Sequence, residues 1–126
     1  MANNQELVTE FHKAFDIPVA QSVNYLPHRW NLRSRLIREE YDEFVEACLD
    51  EDPVEMADAL GDIVYLCYGA AIEMGIDLDA VIREIHRSNM TKLGPDGKPL
   101  YRDDGKVLKG PDYERPDIAS IIFAKP

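Results

Sequence analysis

The sequence predicts an all-α fold, an antiparallel bundle of about four helices followed by an irregular tail, and three observations predict it. Apolar residues recur at three- and four-residue spacing in successive stretches as far as Leu93. The connections between the later stretches are short and carry capping residues. Turn-forming residues crowd together only after Leu93.

The first element is an amphipathic helix over residues 5–15, with Leu7, Val8, Phe11 and Phe15 on one side. Residues 16–31 contain Pro18 and Pro27 and read mostly as loop. A second helix, residues 32–49, places Leu36, Ile37, Tyr41, Phe44, Val45 and Cys48 along one apolar face. Asp52 is suited to an N-cap, Pro53 to the first helical position and Gly75 to a C-terminal stop, which bounds a third helix at residues 53–74. Asp77 then opens a fourth helix, residues 78–90, with Val81, Ile82 and Ile85 as its apolar stripe. Beyond it, Pro95, Asp96-Gly97, Pro99, Asp104-Gly105, Gly110-Pro111 and Pro116 mark a run of turns, with a small hairpin expected over residues 100–108.

At 126 residues and 14.4 kDa this is read as one domain, residues 1–126, with a helical core over about 5–93 and a tail over 94–126. A chain of this size leaves apolar surface for a partner subunit, so a homodimer or homotetramer is expected. The formal charge of −10, from 24 acidic and 14 basic residues, disfavours nucleic acid polymers and anionic membranes as partners. It would also repel a small polyanion, unless bound cations reverse the sign of the field at one site. Cys48 and Cys67 lie among apolar residues and are expected as reduced core side chains. The first ten residues show no basic start followed by an apolar run, so the expected location is the cytoplasm.

The chemistry is written in acidic residues placed where helices should be apolar. On a wheel of about 100° per residue, Glu40 falls inside the apolar arc of the second helix, between Leu36 and Phe44. Glu43 lies at its edge and Glu39 a little beyond, whereas Asp42 and Glu46 face solvent. The third helix is apolar nearly all round from Met56 to Ile72, except for Asp58 and Asp62, one turn apart, with Glu55 near its start. No lysine or arginine lies between Glu39 and Arg83, so within these two helices only Arg33, Arg35 and Arg38 are available to pair with the acids. Buried carboxylates cost several kcal/mol each unless paired, protonated or bound to metal. A set of carboxylates with no histidine or cysteine supplies hard oxygen ligands, which suit Mg²⁺ or Mn²⁺ rather than zinc. The bland alternative is a solvated acidic face, and it fits the second helix taken alone better than it fits Asp58 and Asp62.

These elements resemble those of a known superfamily. Ile37-Arg38-Glu39-Glu40-Tyr41-Asp42-Glu43 resembles the EExxE element of the all-α NTP pyrophosphohydrolases, which include MazG, the dimeric dUTPases and phosphoribosyl-ATP pyrophosphohydrolase. The segment from Asp58 through Asp62, Tyr65 and Tyr68 to Gly69 is similar to the second acidic helix, and Asn89-Met-Thr-Lys92 to the following Asn-x-x-Lys. The turns from Asp104 to Ile118 resemble the ending of the phosphoribosyl-ATP pyrophosphohydrolase-like subgroup. One departure stands out: if Asp62 is the aspartate of the second motif, Glu-x-x-Asp, then Ala59 occupies the glutamate position and Asp58 must supply the carboxylate. The other register takes Glu55 and Asp58 as the motif.

The resemblance implies hydrolysis of a nucleoside triphosphate at the α–β bond, releasing pyrophosphate, in the service of nucleotide house-cleaning. It implies Glu40, Glu43, Asp58 and Asp62, with Glu55 less central, as ligands of Mg²⁺ or Mn²⁺, and Glu39 as the residue that activates water. Asn89, Lys92, Arg87 and His86 become candidate substrate contacts, and Trp30 and Tyr68 candidates for stacking on a base. Two alternatives remain open: a phosphoribosyl-ATP pyrophosphohydrolase, and a non-catalytic acidic module that binds a basic protein. A ferritin-like di-metal site would need Glu-x-x-His pairs, which the sequence lacks.

Overall fold

The computed structural model describes residues 1–123; residues 124–126, the end of the expected tail, lie outside the described residues. The described residues form five helices and no β-strand, which establishes the all-α class. They fall into two compact units, one ending at Leu78 and the other beginning at Asp79.

In the first unit, α1 (Asn4–Ala14) is capped by Asn3, whose side chain accepts from the Glu6 amide at 2.9 Å. Helix α2 (Pro27–Leu49) starts five residues before the position expected from apolar periodicity. Pro27 explains the difference, because a proline at the first helical turn gives up no hydrogen bond. Helix α3 (Pro53–Met74) has the predicted bounds. Asp52 accepts from the Val54 and Glu55 amides at 3.1 Å, and Gly75 adopts φ 75°, the left-handed conformation that glycine reaches without a Cβ penalty.

The segment between α1 and α2 is ordered by the end of α3. The Ala20 amide donates to Ile72 O at 3.0 Å, the Asn24 amide to Met74 O at 3.0 Å, and the Asn24 side chain to Glu73 O at 3.1 Å. Carbonyls that the last turn of a helix leaves without partners are satisfied in this way. Helix α3 packs on both α2 and α1, and Val8, Tyr68 and Ile72 form the buried centre, with Val19 and Leu78 against it.

In the second unit, α4 (Leu78–Met90) is followed by turns. The expected hairpin is reduced to a single antiparallel bridge, Tyr101 with Val107, closed by Arg102 N to Lys106 O at 2.7 Å. A short helix that turn signals did not announce, α5 (Ile118–Ile122), is capped by Asp117, which accepts from the Ser120 amide at 3.2 Å. The tail is anchored to α4 through buried Ser88, whose hydroxyl donates to Glu114 O at 2.7 Å, and through Thr91, which accepts from the Glu114 amide at 2.8 Å.

Candidate active site

Helices α2 and α3 are joined by a tight turn, and Arg29 and Arg33 near the start of α2 meet Glu73 near the end of α3. The pair is therefore antiparallel, and its two ends differ sharply in charge. At one end Arg29 Nε donates to Glu73 Oε1 at 2.5 Å and Arg33 Nε donates to Glu73 Oε2. Arg33 also approaches buried His12, its Nη2 lying 3.2 Å from His12 Nε2, while His12 Nδ1 lies 3.0 Å from Pro18 O. Because arginine only donates, Nε2 is the accepting atom of this contact and Nδ1 the one that faces the Pro18 carbonyl. Gly69 makes room for this arrangement, since a Cβ there would meet Arg33 Nη1 at 2.5 Å. Burial favours the neutral form of Glu73, but the hydrogen bonds and charges of Arg29 and Arg33 outweigh it and hold the carboxyl below its usual range.

Here one expectation is corrected. Arg33 was a candidate partner for the acidic cluster, but it is committed to Glu73, and Arg35 and Arg38 are exposed and form no ion pair among the described residues. Position 73, a glutamate in an apolar helix, had drawn no notice in the sequence.

At the other end of the same helix pair, carboxylates face carboxylates. Glu40 is half-buried, and its Oε2 has no hydrogen-bond partner among the described residues. Its pKa is pushed up to about 7, first by a hydrogen bond shared with Glu43, then by burial, and then by the negative charges of Glu43, Asp62 and Asp58. Asp62 is half-buried; Glu39, Glu43, Asp58 and Glu55 are exposed. Asp58 and Asp62 are thus the α3 carboxylates whose fields reach Glu40. Glu55 lines an adjoining acidic cleft of about 250 Å³ together with Glu43, Glu46, Asp50, Asp52 and Asp58. Among the described residues, no three acidic, histidine or cysteine side chains stand close enough to cage an ion as they are placed. The donor chemistry is then the test of fit. An all-oxygen set containing a buried, unsatisfied carboxyl oxygen suits a hard divalent cation.

The other candidates are distributed as follows. In the second unit, Asn89 and Lys92 line one cleft of about 360 Å³ with Leu93, Pro99 and Val107. His86 is exposed. Arg87 is already engaged: its Nε and Nη2 donate to Glu84 at 2.6 and 3.1 Å and its Nη1 to Glu114 at 3.2 Å. Those contacts, with the Asp117 amide, hold the Glu84 carboxyl down at about 2. In the first unit, Tyr68 is a core residue, 4% exposed, and is not available to a base. Trp30 is exposed but stacks on Tyr25 at 6.4 Å and donates its indole N–H to the Tyr25 hydroxyl at 2.6 Å. Both cysteines are free, but Cys48 is exposed and not a core residue.

A helical hairpin with carboxylates facing across it defines the class: the MazG-like all-α NTP pyrophosphohydrolase fold. More narrowly, the chain belongs to the phosphoribosyl-ATP pyrophosphohydrolase family, whose sequence profile matches residues 8–89. It is 31% identical over 113 residues to an uncharacterized protein of Acanthamoeba polyphaga mimivirus, covering 86% of this chain and 43% of that protein. The chain therefore spans less than half the length of this relative. A crystal structure of a candidate NTP pyrophosphohydrolase from Exiguobacterium sp. 255-15 is similar at a TM-score of 0.50 and 25% identity, covering 94% of this chain and 91% of that one.

Proposed function

We propose that this protein hydrolyses a nucleoside triphosphate between its α- and β-phosphates, giving a nucleoside monophosphate and pyrophosphate, and so removes unwanted nucleotides from the cytoplasmic pool. The observation that carries the reading is the buried, unpartnered oxygen of Glu40 amid Glu43, Asp58 and Asp62, in a chain of this family. Such a carboxyl is costly in a site that does nothing and useful in one that binds a divalent cation.

Glu40, Glu43, Asp58 and Asp62 would hold Mg²⁺ or Mn²⁺, with Glu55 in the adjoining cleft as an auxiliary ligand. When bound, the cations would offset the substrate's charge, align the anhydride for in-line attack and make a coordinated water more acidic. Glu39, exposed and next to Glu40 in sequence, would orient the attacking water and accept its proton. Within the second unit, Lys92 is retained as the candidate contact for a phosphate oxygen and Asn89 for a sugar or phosphate, with His86 in support. Arg87, taken up by Glu84 and Glu114, keeps the end of α4 in shape. The active form is a homo-oligomer.

The test is pyrophosphate release from a panel of canonical and modified NTPs and dNTPs, with Mg²⁺ or Mn²⁺ and with a chelator. Release that needs the metal and is matched by monophosphate supports the reading; no release from any member overturns it. The family's own description favours a second substrate, phosphoribosyl-ATP, which belongs in the same panel.

A further inference from the structure

At the end of the α2–α3 pair opposite the acidic cluster, two guanidinium groups share one carboxylate: Arg29 and Arg33 both donate to Glu73. One positive charge is left over, in a place where Arg33 and Glu73 are buried and Arg29 is half-buried. These three groups form the floor of a cleft of about 110 Å³ whose walls include Tyr25, Trp30, Ala70 and Met74. Arg29 commits its Nε to Glu73, and no hydrogen bond among the described residues reaches its two terminal nitrogens. The walls are held in place by other contacts. Asn24 ties the loop before α2 to the end of α3 through the Glu73 and Met74 carbonyls, and Trp30 stacks on Tyr25 and donates to its hydroxyl.

We propose that this cleft binds a small carboxylate anion with a short apolar body, held by the terminal nitrogens of Arg29. The site is separate from the acidic cluster and does not depend on the hydrolytic reading above. Charge, geometry and size each support it. An excess charge among buried groups is costly until a counterion balances it, and one carboxylate balances one guanidinium. A guanidinium carries five donors in a planar fork, so with Nε engaged by Glu73 the terminal pair is left for a second, bidentate carboxylate. The apolar and aromatic walls favour a ligand whose other end is hydrocarbon over a fully hydrated inorganic anion. The volume falls below the ~300–1,000 Å³ of sites that enclose drug-sized molecules, which leaves room for a few heavy atoms and not for a nucleotide.

The only tryptophan of the chain, Trp30, lies in the wall of the cleft and reports its occupancy. The experiment titrates the full chain with acetate, propionate and isobutyrate at constant ionic strength and follows intrinsic fluorescence. A saturable change with at least one carboxylate is expected, while isobutyramide, the neutral analogue, and chloride leave the signal unchanged. Arg29→Gln should weaken binding about tenfold, the loss of a hydrogen-bonded charge. Arg29→Lys keeps the charge but not the fork and should also weaken it. Arg38→Gln, which lies outside the cleft, should bind as the wild type does. Helical circular dichroism checks that each variant is folded; if Arg29→Gln is not, Arg29→Lys decides. No saturable change with any carboxylate, an equal response to isobutyramide or chloride, or undiminished binding by a folded Arg29 variant overturns the site.

Discussion

Glu40 concentrates the physics of the site in one side chain. Its raised pKa means that the folded, metal-free protein resists charging it. The stability associated with its neutral form is complete below the ordinary value of 4.5 and is lost as pH rises towards about 7. Metal-free protein should accordingly show a falling melting temperature across that window, and Glu40→Gln should flatten the fall. Cation binding must expel the proton, so apparent metal affinity should climb with pH up to about 7 and then level off; calorimetry in two buffers of different ionisation enthalpy would count the proton. Glu43→Ala and Asp62→Ala should abolish pyrophosphate release while leaving the helical signal intact and the metal-free melting temperature equal or slightly higher, because each removes a charge that repels its neighbours. Full turnover by either variant would refute the ligand assignment.

Helices α2 and α3 form a unit whose stability is concentrated at the end away from the carboxylates. Glu73 is 3% exposed and bound by two arginines, so Glu73→Ala leaves the buried Arg33 and the half-buried Arg29 without their carboxylate and should cost about 3 kcal/mol in urea denaturation. The depressed pKa of Glu73 sets the sign of its pH dependence: its contribution is present above the usual carboxylate range and disappears as pH falls through its lowered value. Glu73→Gln should therefore lose less stability in acid than wild type does, from a lower starting point. At the α3 terminus, Asp52→Ala removes the acceptor for two amides and should cost about 1 kcal/mol. Helix α3 was the most legible element, because an N-cap, a proline and a stop glycine bound it. The start of α2 was not, since residues 27–31 lack an apolar stripe and only Pro27 marks the entry.

On the scale of the whole molecule, function and assembly yield separate tests. Saturating Mg²⁺ should raise the melting temperature of the wild type by mass action, about 2.7 kcal/mol at one hundred times the dissociation constant, and Asp62→Ala should remove the gain. An acidic module built to meet a basic protein would gain little. Assembly is a matter of apolar surface: Leu60 and Val64, 49% and 48% exposed, lie on a helix that is apolar nearly all round. We expect a homo-oligomer in sedimentation analysis, reduced in mass by Leu60→Lys combined with Val64→Lys. A wild type that sediments as a monomer at micromolar concentration would contradict this.

The amino-acid sequence by itself determined the all-α class, the bounds of α3 and α4, and the set of carboxylates that could not all be solvated, because helix periodicity, caps and charge balance are local properties. It also carried the elements by which the family is recognised. Only the tertiary structure decided what each charge meets. Arg33 turned out to serve Glu73 and His12, Tyr68 the core, and Arg87 the tail. Those partners lie 40, 21 and 27 residues away in the chain, so no local rule connects them.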